Sequence, residues 1–115
     1  MKKPLYFLVA LIPMLLMTSC HYLTSPRITV VNDTDVAISN LTITGRAFTN
    51  SVPLVQAHSV KSLTVYPRGD SGIALSFDTP QGRISTKEIG YIEAVGCYRV
   101  RLVVETNFRV SFFYD

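Results

Sequence analysis

The chain has 115 residues, with 11 Lys or Arg against 8 Asp or Glu. That length allows one small domain. Two of the basic residues, Lys2 and Lys3, stand at the N-terminus, so the remainder is close to neutral, 11 − 2 = 9 basic against 8 acidic. The basic residues are also spread out, which argues against nucleic-acid binding, because that needs a clustered basic patch.

An uncharged apolar run of 13 residues extends from Leu5 to Met17, interrupted by Pro13. A helix that crosses a bilayer needs about 20 residues, and Pro13 disfavours one long regular helix. A positive start, an apolar middle and small residues at Thr18 and Ser19 match a helical secretory signal peptide. The segment Leu16-Met17-Thr18-Ser19-Cys20 resembles the lipobox of bacterial lipoproteins, with Met17 in place of the more usual leucine.

The resemblance covers residues 1–20. It implies cleavage before Cys20, a diacylglycerol on the Cys20 sulfur and an N-acyl chain on its new amino group. One acyl chain holds a protein marginally and two or more hold it stably, at about 0.8 kcal/mol per buried CH₂. In enterobacterial members an Asp after the cysteine favours the inner membrane. This chain has His21 there, so the resemblance implies the outer membrane, facing the periplasm. The chain then divides into a signal peptide (1–19), a short lipidated tether (20–26) and a β-sandwich domain (27–115).

The tether His21–Pro26 reaches about 20 Å at most, at roughly 3.3–3.6 Å per residue, so the domain should stay near the membrane surface. From Arg27 the pattern has period two and is rich in Val, Ile, Thr, Phe and Tyr, which predicts strands. Arg27–Asn32 is the first. Asn32-Asp33-Thr34-Asp35 reads as a turn. Val36–Thr44 is the second strand; its apolar parity shifts between Ile38 and Leu41, which predicts a β-bulge near Ser39-Asn40. Residues 45–59 are weakly patterned and read as a loop, with Phe48, Val52 and Leu54 available to pin it to the core.

Val60–Tyr66 is the third strand, with Leu63 and Val65 inward. Residues 67–72 read as a loop. Ile73, Leu75 and Phe77 mark a half-buried strand, Thr79–Gly82 a hairpin turn, and Arg83–Ile89 the return. Residues 90–96 form a connection with a short strand at 91–93. In the last hairpin Tyr98, Val100, Leu102 and Val104 share one face, and Phe108, Val110, Phe112 and Tyr114 point to the core from the paired strand. The sum is an all-β chain: a small antiparallel sandwich of about seven strands, immunoglobulin-like or transthyretin-like.

Few residues carry chemistry. Gly69-Asp70-Ser71-Gly72 resembles the segment around the nucleophilic serine of chymotrypsin-like proteases, but Ile73 replaces a further Gly. A triad also needs an oriented histidine, and the domain has only His58, outside the family's histidine context. The segment therefore reads as a turn into the next strand. Asp33 and Asp35 read as turn residues, because a cation needs several more oxygen ligands. Asn32-Asp33-Thr34 and Asn40-Leu41-Thr42 fit the glycosylation pattern, which means little behind a bacterial signal. Glu88 and Glu93 have no visible common cleft, and His21 and His58 no shared site. If Cys20 carries lipid, Cys97 has no partner within the chain and reads as a buried thiol, with an intermolecular disulfide or a reactive thiol as the alternatives. No Cys/His cluster has zinc spacing, so no metal and no cofactor beyond the covalent lipid are expected.

One surface is site-like. Arg99, Arg101 and Val103 share the outward face of their strand with Cys97, and Arg109 and Phe113 face the same way on the paired strand. Arg with aromatic residues suits a protein-binding surface. The leading expectation is a non-enzymatic lipoprotein whose sandwich makes protein–protein contact in the cell envelope. Transthyretin-like lipoproteins of secretion systems have similar architecture, although no motif ties this chain to them. The alternative is an immunity or superinfection-exclusion lipoprotein that inhibits a toxin or masks a phage receptor. The partner's identity is open in both.

Overall fold

The computed structural model describes residues 25–94 and 98–115. The signal peptide, Cys20, His21 and Cys97 lie outside the described residues. Among the described residues nine strands form two sheets: β1 (Arg27–Asn32), β2 (Ile38–Gly45), β3 (Phe48–Val55), β4 (Val60–Thr64), β5 (Ser71–Thr79), β6 (Gly82–Ser85), β7 (Ile89–Ile92), β8 (Arg99–Val104) and β9 (Val110–Tyr114). Sheet A has the order β4-β1-β8-β9, and sheet B the order β3-β2-β5-β6, with β7 also on β5. The fold is an all-β sandwich.

Alternation drives the packing. Each strand sends every second side chain inward, and the two inner faces supply one core. Sheet A contributes Ile28, Val30, Val100, Leu102 and Val104; sheet B contributes Ile38, Leu41, Ile43, Phe48, Val55, Ile73, Leu75, Phe77 and Ile92. Burying such a side chain is worth about 1.5–3 kcal/mol. On β5 Ile73, Leu75 and Phe77, and on β8 Val100, Leu102 and Val104, each expected to share one face, are buried.

The bulge falls where the parity shift places it. Ser39 pairs with Asp78 but Thr42 pairs with Ser76, so β2 carries one extra residue between them. Asn40 absorbs it at φ +48°, a conformation that Asn tolerates better than most residues. Ile38, Leu41 and Ile43 consequently all reach the core.

Residues 45–59 are not a loop. Phe48–Val55 forms β3, paired with β2 along its length from Gly45↔Phe48 to Ile38↔Val55. The turn Arg46-Ala47 places Ala47 at φ +61°, a position usually marked by Gly or Asn. Thr49, Asn50, Ser51 and Pro53 then dilute the alternation. As an edge strand, β3 tolerates Pro53. Phe48 and Val55 are buried and Val52 packs against the core, whereas Leu54 is exposed.

Two further differences concern pairing. The return after β5 is split into β6 and β7, both paired with β5. The interruption is at Thr86, whose backbone N–H donates to the Leu75 carbonyl (2.8 Å) and whose hydroxyl accepts from the Leu75 N–H (3.0 Å). The sandwich is also not wholly antiparallel, since β1 lies parallel to β8 from Arg27↔Arg99 to Asn32↔Val104. Parallel neighbours need a long crossover between them, and here β2 to β7 supply it.

The registers set the two ends of the sandwich. At one end lie the start of β1, the loop after β4, the β2–β3 turn, the end of β7, the start of β8 and the end of β9. We call this the near end, because the chain from Cys20 joins β1 there. The far end holds the β1–β2, β3–β4, β5–β6 and β8–β9 connections. Asn32 organises the far end. Its side chain is fully buried. Nδ2 donates to the carbonyls of Val36 (2.8 Å), Val55 (3.1 Å) and Gln56 (3.1 Å), while Oδ1 accepts from the Thr34 N–H (3.0 Å) and hydroxyl (2.7 Å). One amide thereby ties β1 in sheet A to the end of β3 in sheet B.

Candidate contact face

The outer face of sheet A is built by four strands in register. Arg27 lies between Thr64 and Arg99; Thr29 lies between Ser62 and Arg101; Val31 lies between Val60 and Val103. On β9, Phe113 pairs with Arg101 and Ser111 with Val103. The face is graded. Its near-end rows carry Arg27, Arg99, Arg101 and Phe113, and its far-end row carries Val31, Val60 and Val103, with Val60 54% exposed.

Arg99, Arg101, Val103 and Phe113 therefore share one surface, as their parity requires, and Arg109 precedes β9 with the same parity as Ser111 and Phe113. The Arg101 guanidinium stacks over the Phe113 ring at 5.0 Å from its centroid, and its Nε lies 3.7 Å from an Asp115 carboxylate oxygen. Such stacking on an exposed ring is worth about 0.5–1 kcal/mol. It holds two long side chains flat, which lowers the ordering cost of a contact made through them. Phe108, Val110 and Phe112 lie on the core side of the final hairpin but are half-buried, and Tyr114 is exposed, because β9 is an edge strand.

Gly69 and Asp70 lie in the bend before β5, whereas Ser71 and Gly72, expected in the turn, already belong to the strand. Ser71 is buried; its hydroxyl accepts from the Arg46 N–H (2.7 Å) and donates to the Gly72 carbonyl (2.6 Å). This serine fastens the β2–β3 turn to β5. Asn32 of the first glycosylation pattern is buried. Among the described residues, no group of His, Cys, Asp and Glu is arranged to hold a metal ion.

Two clusters are not visible from the sequence. His58 Nε2 lies 2.8 Å from an Asp35 carboxylate oxygen and its Nδ1 lies 4.0 Å from Asp33. Sequence separation hides this pairing, which follows from β1 and β4 being neighbours. At the near end the Tyr91 hydroxyl bonds Asp70 and Glu93, lying 3.4 Å from a Glu93 oxygen. The Asp70 hydrogen bond, then desolvation, then the charges of Asp70 and Glu93 push the Tyr91 phenol up to about 12. On sheet B a shallow depression of about 250 Å³ is lined by Asn40, Thr42, Ser51, Val52, Pro53 and Arg83. Its polar rim is internally paired. Asp78 accepts from Asn40 (2.8 Å) and Arg83 (2.9 Å), and these two bonds hold its carboxyl below the usual range.

No family model matches the chain, and no curated protein matches it. Among solved structures it is similar to the NMR structure of a protein from Eubacterium rectale, at 17% sequence identity and a TM-score of 0.57. The match covers 80% of this chain and 89% of that one. At that identity the likeness is one of fold alone.

Proposed function

We propose that the protein is a non-enzymatic lipoprotein, anchored through acyl chains on Cys20 in the outer membrane and facing the periplasm, whose sandwich binds another envelope protein. The segment Leu16–Cys20 behind an apolar run carries this reading. The contact surface is the near-end half of the sheet A face, where Arg99, Arg101 and Phe113 are presented together. Arg and aromatic residues dominate the energetics of many interfaces, and a stacked Arg–Phe pair is preorganised for that role. Val103 extends the surface towards the far end, and Arg109 supplies further positive charge there.

The reading as a binding module is supported by the structural role of Ser71, whose hydroxyl is engaged with two backbone groups. The test is capture of the partner from native membranes after brief crosslinking. The Arg99→Glu/Arg101→Glu variant should lose the captured protein while staying folded, with a stability loss of only about 1 kcal/mol from the broken Arg101–Phe113 stack, since both residues are exposed. Capture at the wild-type level would retire this face. A captured toxin or phage receptor would make the same surface that of a protective inhibitor.

A further inference from the structure

Four tyrosines lie in the described residues, Tyr66, Tyr91, Tyr98 and Tyr114, and all four are at the near end. Tyr66 follows the last residue pairs of β4, Tyr91 is at the end of β7, Tyr98 leads into β8 and Tyr114 closes β9. Three of them are joined. Tyr98 and Tyr114 meet edge to face at 6.3 Å, Phe112 and Tyr114 at 4.9 Å, and the Tyr114 hydroxyl donates to the Tyr91 carbonyl at 2.6 Å. Aromatic rings also reach the surface here: Tyr66 is 70% exposed, Tyr114 57%, Phe113 44% and Tyr91 43%.

Arginine gathers at the same end. Arg27 begins β1, Arg99 begins β8, and Arg46 and Arg68 sit in adjoining turns joined by a bond from the Arg68 N–H to the Arg46 carbonyl (3.2 Å). Four acidic side chains share this end: Asp115 lies beside Arg101, Asp70 and Glu93 lie at the Tyr91 hydroxyl, and Glu88 packs against Gly72. The far end differs. Asp33 and Asp35 lie beside His58 and Asp78 pairs with Arg83, and the described residues place no tyrosine there.

We infer that the near end is a bilayer-contacting surface, with Tyr66 and Tyr114 at the headgroup level of an anionic phospholipid membrane and Arg27, Arg46 and Arg68 against its phosphates. Tyrosine, with an apolar ring and a polar tip, favours the membrane–water interface, and basic residues are drawn to anionic leaflets. Chain geometry selects this end over the other. The start of β1 is pinned on both sides, by the Val65 N–H to the Pro26 carbonyl (3.0 Å) and the Arg27 N–H to the Tyr98 carbonyl (2.9 Å). From there to Cys20 the chain spans roughly 20 Å at most, whereas the nine residues of β5 span roughly 30 Å. A lipid on Cys20 therefore brings the near end to the headgroups and keeps the far end away. The orientation rests on the lipid-anchor reading; the affinity of this end for a bilayer does not.

The chain contains no tryptophan, so one introduced indole reports depth directly. The protein is isolated in the processed form that cells make, as Tyr66→Trp for the near end and as Gln56→Trp for the far end. Each is added to vesicles of equal parts phosphatidylcholine and phosphatidylglycerol containing brominated lipid. The near-end indole should shift its emission to the blue and be quenched severalfold more than the far-end indole. Adding Arg46→Glu/Arg68→Glu should weaken that quenching. Water-like, unquenched emission from the near-end indole would overturn the inference, as would equal quenching of both probes. Quenching at the near end in a protein that carries no acyl chain would remove the anchor and leave this surface; an acylated protein with an unquenched near-end indole would do the reverse.

Discussion

The two ends of the sandwich solve opposite problems. At the far end a polar group is buried and fully bonded: the Asn32 amide meets three carbonyls and Thr34. At the near end apolar rings are left in solvent and polar groups frame them. A buried, satisfied amide fixes structure, because any replacement strands its partners. Exposed rings and guanidinium groups add little to the folded state, so their concentration at one end reflects what that end meets. Stability and contact are thereby separated along the strand direction of the molecule.

This separation can be broken first at Asn32. Asn32→Ala should remove about 2–4 kcal/mol, since several buried groups lose their partner, measured as a lowered urea midpoint. The near-end surface variants should leave that midpoint almost unchanged. An Asn32→Ala protein as stable as wild type would erase the distinction.

A smaller effect is expected where the sheets meet near β9. Gly90 has φ +65° and lies under the Phe112 ring, so a Cβ there would overlap the ring. Gly90→Ala should cost about 1–2 kcal/mol through the left-handed backbone and the displaced ring. Loss of the aromatic near-ultraviolet signal from the Phe112–Tyr114 pair would locate the damage.

The smallest effect is alkaline. The Tyr91 phenol is raised from 10.0 to about 12, so the folded state holds a proton that the unfolded chain releases. Its contribution to stability is complete below pH 10 and is lost as the pH rises towards 12. Ultraviolet titration of the phenolates should show the highest-pH step vanish in Tyr91→Phe, and the decline in stability across that window should flatten.

Sheet A and the core were legible from the sequence because β-branched alternation is strong in Arg27–Asn32, Ile73–Phe77 and Arg99–Val104. The bulge at Asn40 was legible for the same reason, since parity must be restored somewhere between Ile38 and Leu41. β3 was not, because Ala47 occupies a turn position without a turn residue's signature and Pro53 sits on an unpaired edge. The face of Arg99, Arg101 and Phe113 follows from period two alone. The near-end tyrosines do not, because Tyr66, Tyr91, Tyr98 and Tyr114 belong to four separate strand ends that only the topology collects. The His58–Asp35 pair was hidden likewise, behind the neighbouring positions of β1 and β4.

The proposed anchoring turns on Cys20. Cells expressing the wild-type chain or Cys20→Ala, grown with radiolabelled palmitate, provide the most direct measurement. A lipid on the Cys20 sulfur predicts a labelled wild-type band in the membrane fraction and no label on Cys20→Ala. Equal labelling of the two, or an unlabelled wild type released into the soluble fraction, would contradict it.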